Sequence, residues 1–147
     1  MRSFQSVFVL TVLCVVSAFG QKPDFTGTWK QVGLSDRVRI DKIDHKDPYL
    51  KVAAESSGPS AGLFLDHDFR TDGTEQVDNN VSGRQRWRTA SWQGSALVIL
   101  TVIKDGYHVS VTRESWTVSG EGKTLTKTTR NINMDGVTEK TLTFQKE

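Results

Sequence analysis

The chain has 147 residues, with 19 Lys and Arg against 17 Asp and Glu for a net charge of +2, and 9% aromatic residues that include four Trp. This length fits one domain, and the aromatic content argues for a packed core over disorder. The near balance of charge excludes nucleic-acid or anionic-membrane binding driven by charge alone.

Met1 and Arg2 open the chain with positive charge, Val7 to Val16 form an almost unbroken apolar run, and Ala18, Phe19 and Gly20 place small residues at the −3 and −1 positions of a cut. The pattern is that of a secretory signal peptide over residues 1–20, cut after Gly20. Polar Gln5 and Ser6 leave the run short of the about 20 apolar residues of a membrane span. The expectation is a secreted or periplasmic domain over residues 21–147, with no stable membrane insertion once the leader is gone. Cys14 is the one cysteine and leaves with the leader, and bulky Leu13 before it speaks against lipidation. An exported domain without disulfides depends on its hydrophobic core, and a chain of this size buries roughly two-thirds of its surface. Thiol catalysis and cysteine-bound zinc are excluded for residues 21–147.

Ten strand-length segments follow in order: Thr28–Val32, Val38–Ile43, Tyr49–Ala54, Leu63–Thr71, Glu75–Val81, Arg84–Trp92, Ala96–Lys104, Tyr107–Val118, Thr124–Ile132 and Val137–Gln145. Val, Ile, Thr and aromatics dominate them, and no stretch shows a sustained 3.6-residue period with caps. Turn signals separate them, among them Asp47-Pro48, Asp72-Gly73, Ser82-Gly83, Gln93-Gly94, Asp105-Gly106 and Asp135-Gly136. Glycines at 73, 83, 94 and 106 keep the rhythm of consecutive hairpins. The Asp-Gly pairs suggest type I′ turns, which need positive φ at both central residues. The predicted fold is all-β, an antiparallel meander of about 8 to 10 strands that removes its edges by closing into an up-and-down barrel. An open, flattened β-roll is the alternative.

The segment Asp24-Phe25-Thr26-Gly27-Thr28-Trp29-Lys30 resembles the Gly-x-Trp opening of lipocalins and fatty-acid-binding proteins. From Leu97 onward the chain is similar to the C-terminal half of a fatty-acid-binding protein, through Asp105-Gly106, Val111-Thr112-Arg113-Glu114, Gly122-Lys123-Thr124-Leu125 and Thr141 to Glu147. The whole of residues 21–147 resembles short exported bacterial lipocalin-like proteins, through Ile43 to Pro48, Trp92-Gln93-Gly94 and Trp116-Thr117-Val118-Ser119 as well. The resemblance implies a calycin-type barrel with Trp29 as its end plug. It also implies a ligand anchor, of which Arg113 is retained, while Leu142 and Phe144 stand where the fatty-acid binders carry an Arg and a Tyr. Gly33 to Asp36 leaves no room for their two-helix lid.

Few residues point to chemistry. His45, His67 and His108 form no His-x-His or His-x-x-x-His pair. On a strand Asp66 and Asp68 face away from His67, so no metal site is expected. Nucleophile elbow, Walker loop and dinucleotide turn are absent from the sequence, and Glu114 with Asp135 or Glu139 is the one carboxylate pairing left for catalysis. Arg84, Arg86 and Arg88 alternate with Gln85 and Trp87 and so form one row on a strand. A two-residue hairpin at Ser82-Gly83 sets them opposite Val81, Asn79 and Val77, with no acid across from them. The row is either a solvent face whose stems cover apolar neighbours or an anion contact. Thr138, Lys140, Leu142 and Phe144 share a face that turns from polar to apolar, as a half-wet cavity requires. Asn80-Val81-Ser82 matches a glycosylation acceptor.

These features favour an exported, non-enzymatic, lipocalin-like protein that binds a small apolar or amphipathic ligand, without cofactor. Arg113, Tyr107 and Lys140 are the candidates for its polar end, and Leu142 and Phe144 for its apolar one. The alternative is a protein-interaction or inhibitor module with a filled core, whose loop tips at Ser56–Ala61 and Ser119–Gly122 meet a protein partner of unknown identity.

Overall fold

The computed structural model describes residues 22–58, 65–79 and 83–147. The expected leader over 1–20, the Asn80-Val81-Ser82 triplet and the end of the Ser56–Ala61 tip lie outside the described residues. Ten strands appear: β1 (Gly27–Gln31), β2 (Val38–Lys46), β3 (Tyr49–Ser57), β4 (Leu65–Arg70), β5 (Gln76–Asn79), β6 (Arg84–Gln93), β7 (Ala96–Asp105), β8 (His108–Val118), β9 (Thr124–Asn133) and β10 (Gly136–Lys146). No helix occurs among the described residues.

All pairings are antiparallel, and the strand order runs β4-β3-β2-β1-β10-β9-β8-β7-β6-β5. The meander therefore curls until β1 meets β10, with Trp29 opposite Lys146 and Gln31 opposite Phe144. The remaining edges belong to β4 and β5, which follow each other in the chain. Among the described residues the link between them is tied onto β6 by one isolated bridge, Asp72 to Ser91. It is also fastened by the Gly73 N–H donating to the Ala90 carbonyl at 2.8 Å and the Arg70 N–H donating to Gln76 Oε1 at 3.1 Å. The result is a nearly closed barrel rather than an open roll. β1 is short and reaches only Phe144 to Lys146 of β10, so Gly136 to Leu142 pair with β9 alone among the strands.

The tight turns differ from the expected type. Gly94-Ser95 and Gly106-Tyr107 are the two-residue links of β6-β7 and β7-β8, with φ of +62° and +58° at the glycines and, among the described residues, no positive φ at any other residue type. Positive φ at the first turn residue alone is the II′ arrangement, so Gln93 and Asp105 end strands instead of occupying the corner.

Alternation along each strand sends every second residue inward. At one end these residues are large and apolar. Phe25, Trp29, Leu50, Leu97, Leu125 and Phe144 are all buried there. The segment before β1 crosses beneath them. Phe25 stacks on Trp92 with centroids 5.7 Å apart and meets Trp116 edge-on at 6.1 Å. Trp29 donates its indole N–H to the Phe25 carbonyl at 2.8 Å, which satisfies a polar group that burial would otherwise leave costly. Towards the other end the inward positions become small or polar, and the interior opens.

Candidate functional site

The opening is a cavity of about 320 Å³ lined by residues of β2, β3, β4, β6, β7, β8, β9 and β10. Val52, Ala54, Phe69, Ile103, Trp116 and Leu142 supply apolar wall, and Arg39, Arg86, Arg88, Lys127, His67 and Glu114 supply ionisable groups. A second hollow of about 390 Å³ at the hairpin tips, with Arg84, His108, Val109 and Met134, shares Ile103 and so adjoins the first.

Two cationic clusters stand in the cavity wall. At its floor Asp41, fully buried, accepts from Lys127 Nζ at 2.8 Å and from Arg39 Nε at 2.9 Å. Burial alone raises the Asp41 pKa, and the pull of Lys127 and Arg39 outweighs it, so the carboxyl stays below its ordinary value. Burial pushes the Lys127 ammonium below the ordinary lysine range, opposed by Asp41. Lys127 also sits 3.7 Å from the Trp116 ring centroid, a cation-π contact strengthened by desolvation. The Trp116 indole N–H donates to Glu114 Oε2 at 2.9 Å.

The second cluster is the arginine row of β6. Arg86 and Arg88 point into the cavity, while the alternate residue Trp87 points outward, so the row is not a solvent face. Its register also differs from the expected one. Asp78 lies opposite Arg86, and Gln76 opposite Arg88, because the β5-β6 connection is longer than two residues. Acids therefore do compensate the row. Arg88 donates to Asp78 Oδ2 at 2.8 Å, Arg86 approaches the same oxygen at 3.9 Å, and Arg84 pairs with Asp105 at 3.0 Å. Arg88 lies over the Phe69 ring at 5.3 Å, and its Nε is buried with no hydrogen-bond acceptor. His67 is half-buried beside it, and burial followed by the charge of Arg88 lowers its pKa, which favours the neutral imidazole.

Four cations thus face Glu114, Asp41 and Asp78, leaving one positive charge uncompensated in and around the cavity.

Other expected site residues fall elsewhere. Arg113 is exposed on the outer face and donates to Gln93 at 3.3 Å. β8 turns Thr112, Glu114 and Trp116 inward, and Arg113 is one residue out of phase. Tyr107 is fully exposed in the β7-β8 turn, and Lys140 is exposed beyond the cavity rim. Leu142 lines the cavity, and Phe144 is fully buried beneath it, 5.1 Å from Lys127. Glu114 does not meet Asp135 or Glu139. Glu114 points inward, Asp135 sits at a hairpin tip and Glu139 is exposed on the outer face. The Ser119–Gly122 tip is a closed turn in which Ser119 Oγ accepts the Lys123 and Thr124 N–H groups.

Arg39, Asp41 and Lys127 were not legible as a site from the sequence. Their one signal is that each shares strand phase with a core residue, Ile43 for the first two and Leu125 for the third.

The chain is thus a ten-stranded antiparallel barrel with a mixed apolar and cationic cavity. No family model matches its sequence, and no curated protein resembles it in sequence. Its fold is similar to that of secretory abundant heat soluble protein 4 from Ramazzottius varieornatus, with a TM-score of 0.59 and 14% identity over 84% of this chain and 94% of that one. It is also similar to zebrafish ileal bile acid-binding protein complexed with cholic acid, with a TM-score of 0.57 and 14% identity over 84% and 98%. The fatty-acid-binding protein of Manduca sexta aligns over 84% and 100% at 17% identity, with a TM-score of 0.47. What the chain shares with the first two is the fold, an antiparallel β-barrel.

Proposed function

We propose that this chain is an exported, non-enzymatic carrier of a small amphipathic molecule, taken into the barrel with its apolar body against Phe69, Trp116 and Leu142. Its single anionic group is held by the arginine row. The observation that carries this reading is Arg88, a half-buried side chain on the cavity wall whose Nε atom is buried without an acceptor. A ligand oxygen there forms a charge-assisted bond in a low-dielectric setting and removes the cost of the unmade one. The single uncompensated positive charge matches a monoanion.

Area arithmetic supports the need for such an anchor. Hiding roughly 250 Å² of apolar ligand surface is worth about 6 kcal/mol before ordering costs. Micromolar affinity needs about 8 kcal/mol. A lipocalin-like binder without polar anchor falls short, and a charge-assisted pair closes the gap. The zebrafish neighbour, complexed with cholic acid, supports the capacity of such a barrel to hold an amphipathic acid. Export rests on the sequence pattern of residues 1–20. Binding rather than turnover is supported by Glu114, the one carboxylate lining the cavity among the described residues, whose oxygen already accepts from Trp116.

The test is titration with anilinonaphthalene sulfonate, an anionic apolar probe, beside the neutral probe Nile red. Arg86→Gln with Arg88→Gln should weaken the anionic probe about tenfold, the loss of one charge-assisted contact, and leave the neutral probe within about twofold. Equal weakening of both probes, or none, overturns the anchor.

A further inference from the structure

The outward positions of β5 to β10 carry a pattern that the cavity does not use. Val77, Trp87, Val102, Val111, Ile132 and Val137 are consecutive cross-strand partners, each directly opposite the next. The five on β6 to β10 are out of phase with the cavity-lining residues of their strands, and Val77 alternates with Asp78, which pairs with Arg88, so the six form one apolar row on the outside of the barrel. It is most exposed at its two ends, at Val77 on β5 (49%) and at Ile132 and Val137 on β9 and β10 (43% and 55%), and among the described residues only the second end has unpaired charges in the adjoining row. The next row towards the closed end runs Arg113, Arg130, Glu139, again directly paired. None of these three charges makes an ion pair among the described residues, although two arginines face each other across β8 and β9.

We propose that this face, centred between β9 and β10, is the contact surface of a homodimer. A two-fold axis parallel to the strands and lying between them keeps each row at its own height. It sets β9 of one copy on β10 of the other. Ile132 then meets the partner copy's Val137, and Arg130 meets the partner copy's Glu139, each twice by symmetry. Thr128 likewise meets the partner copy's Thr141, a pair of hydroxyl groups already adjacent within one copy at 3.3 Å.

The charges select this axis. An axis between β8 and β9 would oppose Arg113 and Arg130, and one along β9 would oppose Arg130 to itself. The axis between β9 and β10 opposes unlike charges only. An anionic lipid surface fits less well, because Glu139 lies beside Arg130 and Asp135 lies beside Met134, which is 75% exposed. A partner with both signs at one height is required, and a second copy supplies it. Two convex barrels touch over few strands, so the dimer is weak relative to standard interfaces.

Sedimentation velocity of the intact chain over about 1–500 μM, the range where a small contact associates, tests this. The wild type should shift from monomer to dimer. Arg130→Glu and Glu139→Arg should each weaken the dimer about tenfold, and the double swap should restore it to within about threefold of wild type. Ile132→Asp should leave monomer throughout. A monomer at every concentration, a dimer indifferent to the swaps, or co-sedimentation of monomer with phosphatidylglycerol vesicles that Ile132→Asp abolishes each overturns the proposal. The swapped residues are exposed, so loss of fold does not confound them, and circular dichroism checks this directly. Probe affinity is measured on the same samples, and its outcome does not depend on this one.

Discussion

Asp41 is the residue on which most of the interior charge depends. It is fully buried and accepts from both Lys127 and Arg39, and Lys127 is itself 4% exposed. Removing one member of a buried pair strands the other. Asp41→Asn should therefore cost about 3–5 kcal/mol in chemical denaturation, far more than removal of the half-exposed Lys42–Glu55 pair, whose side chains are 55% and 43% exposed. Asp47 provides the pH signature. It accepts from Lys22, Thr71 and Trp92, and these bonds hold its pKa at about 2. A depressed carboxyl contributes stability that is present above its unfolded value near 4 and lost as pH falls through the folded one. The melting temperature should therefore decline between about pH 4 and pH 2, and Asp47→Asn should make that decline shallower.

Among elements, the chain's ten strands were legible because Val, Ile, Thr and aromatic segments alternate with Gly-containing turns, and each expected segment overlaps an observed strand. What was not legible was phase. A one-residue shift in the β5-β6 register moved Asp78 opposite Arg86, and nothing in the local composition distinguishes the two registers. The inward direction of Arg86 and Arg88 was hidden for a related reason. Alternation shows that they share a face but not which face, and the usual rule that arginine faces water misleads where the interior is itself polar. Arg113 failed similarly, since a resemblance in segment order does not carry strand phase with it. Element ends carry their own constraint at Gly58, the last described residue after β3. It has φ of +117°, and a Cβ there would lie 2.8 Å from the Asp36 carbonyl oxygen. Gly58→Ala should cost about 1–3 kcal/mol, the range for strained backbone, and thermal melting would show it.

For the whole molecule, the distribution of pairing sets the distribution of stability. β7, β8 and β9 are long strands paired along both edges, whereas β4 and β5 are each paired along one edge and the link between them is held to β6 by an isolated bridge. Amide exchange should be slowest in β7 to β9 and fastest around that link, at Phe69 to Val77. Uniform protection around the barrel would contradict the uneven pairing.

The pairing of β1 with β10 has a consequence for how the molecule is made. Trp29 and its neighbour Lys146 lie near opposite ends of the described chain. A ribosome releases the first long before the second, and until then Phe25 and Trp29 have no Phe144 or Leu125 to lie against. The aromatic floor thus stays incomplete, and closure waits for the final strand. Contacts this distant in sequence place folding on the millisecond-to-second scale of non-local β proteins.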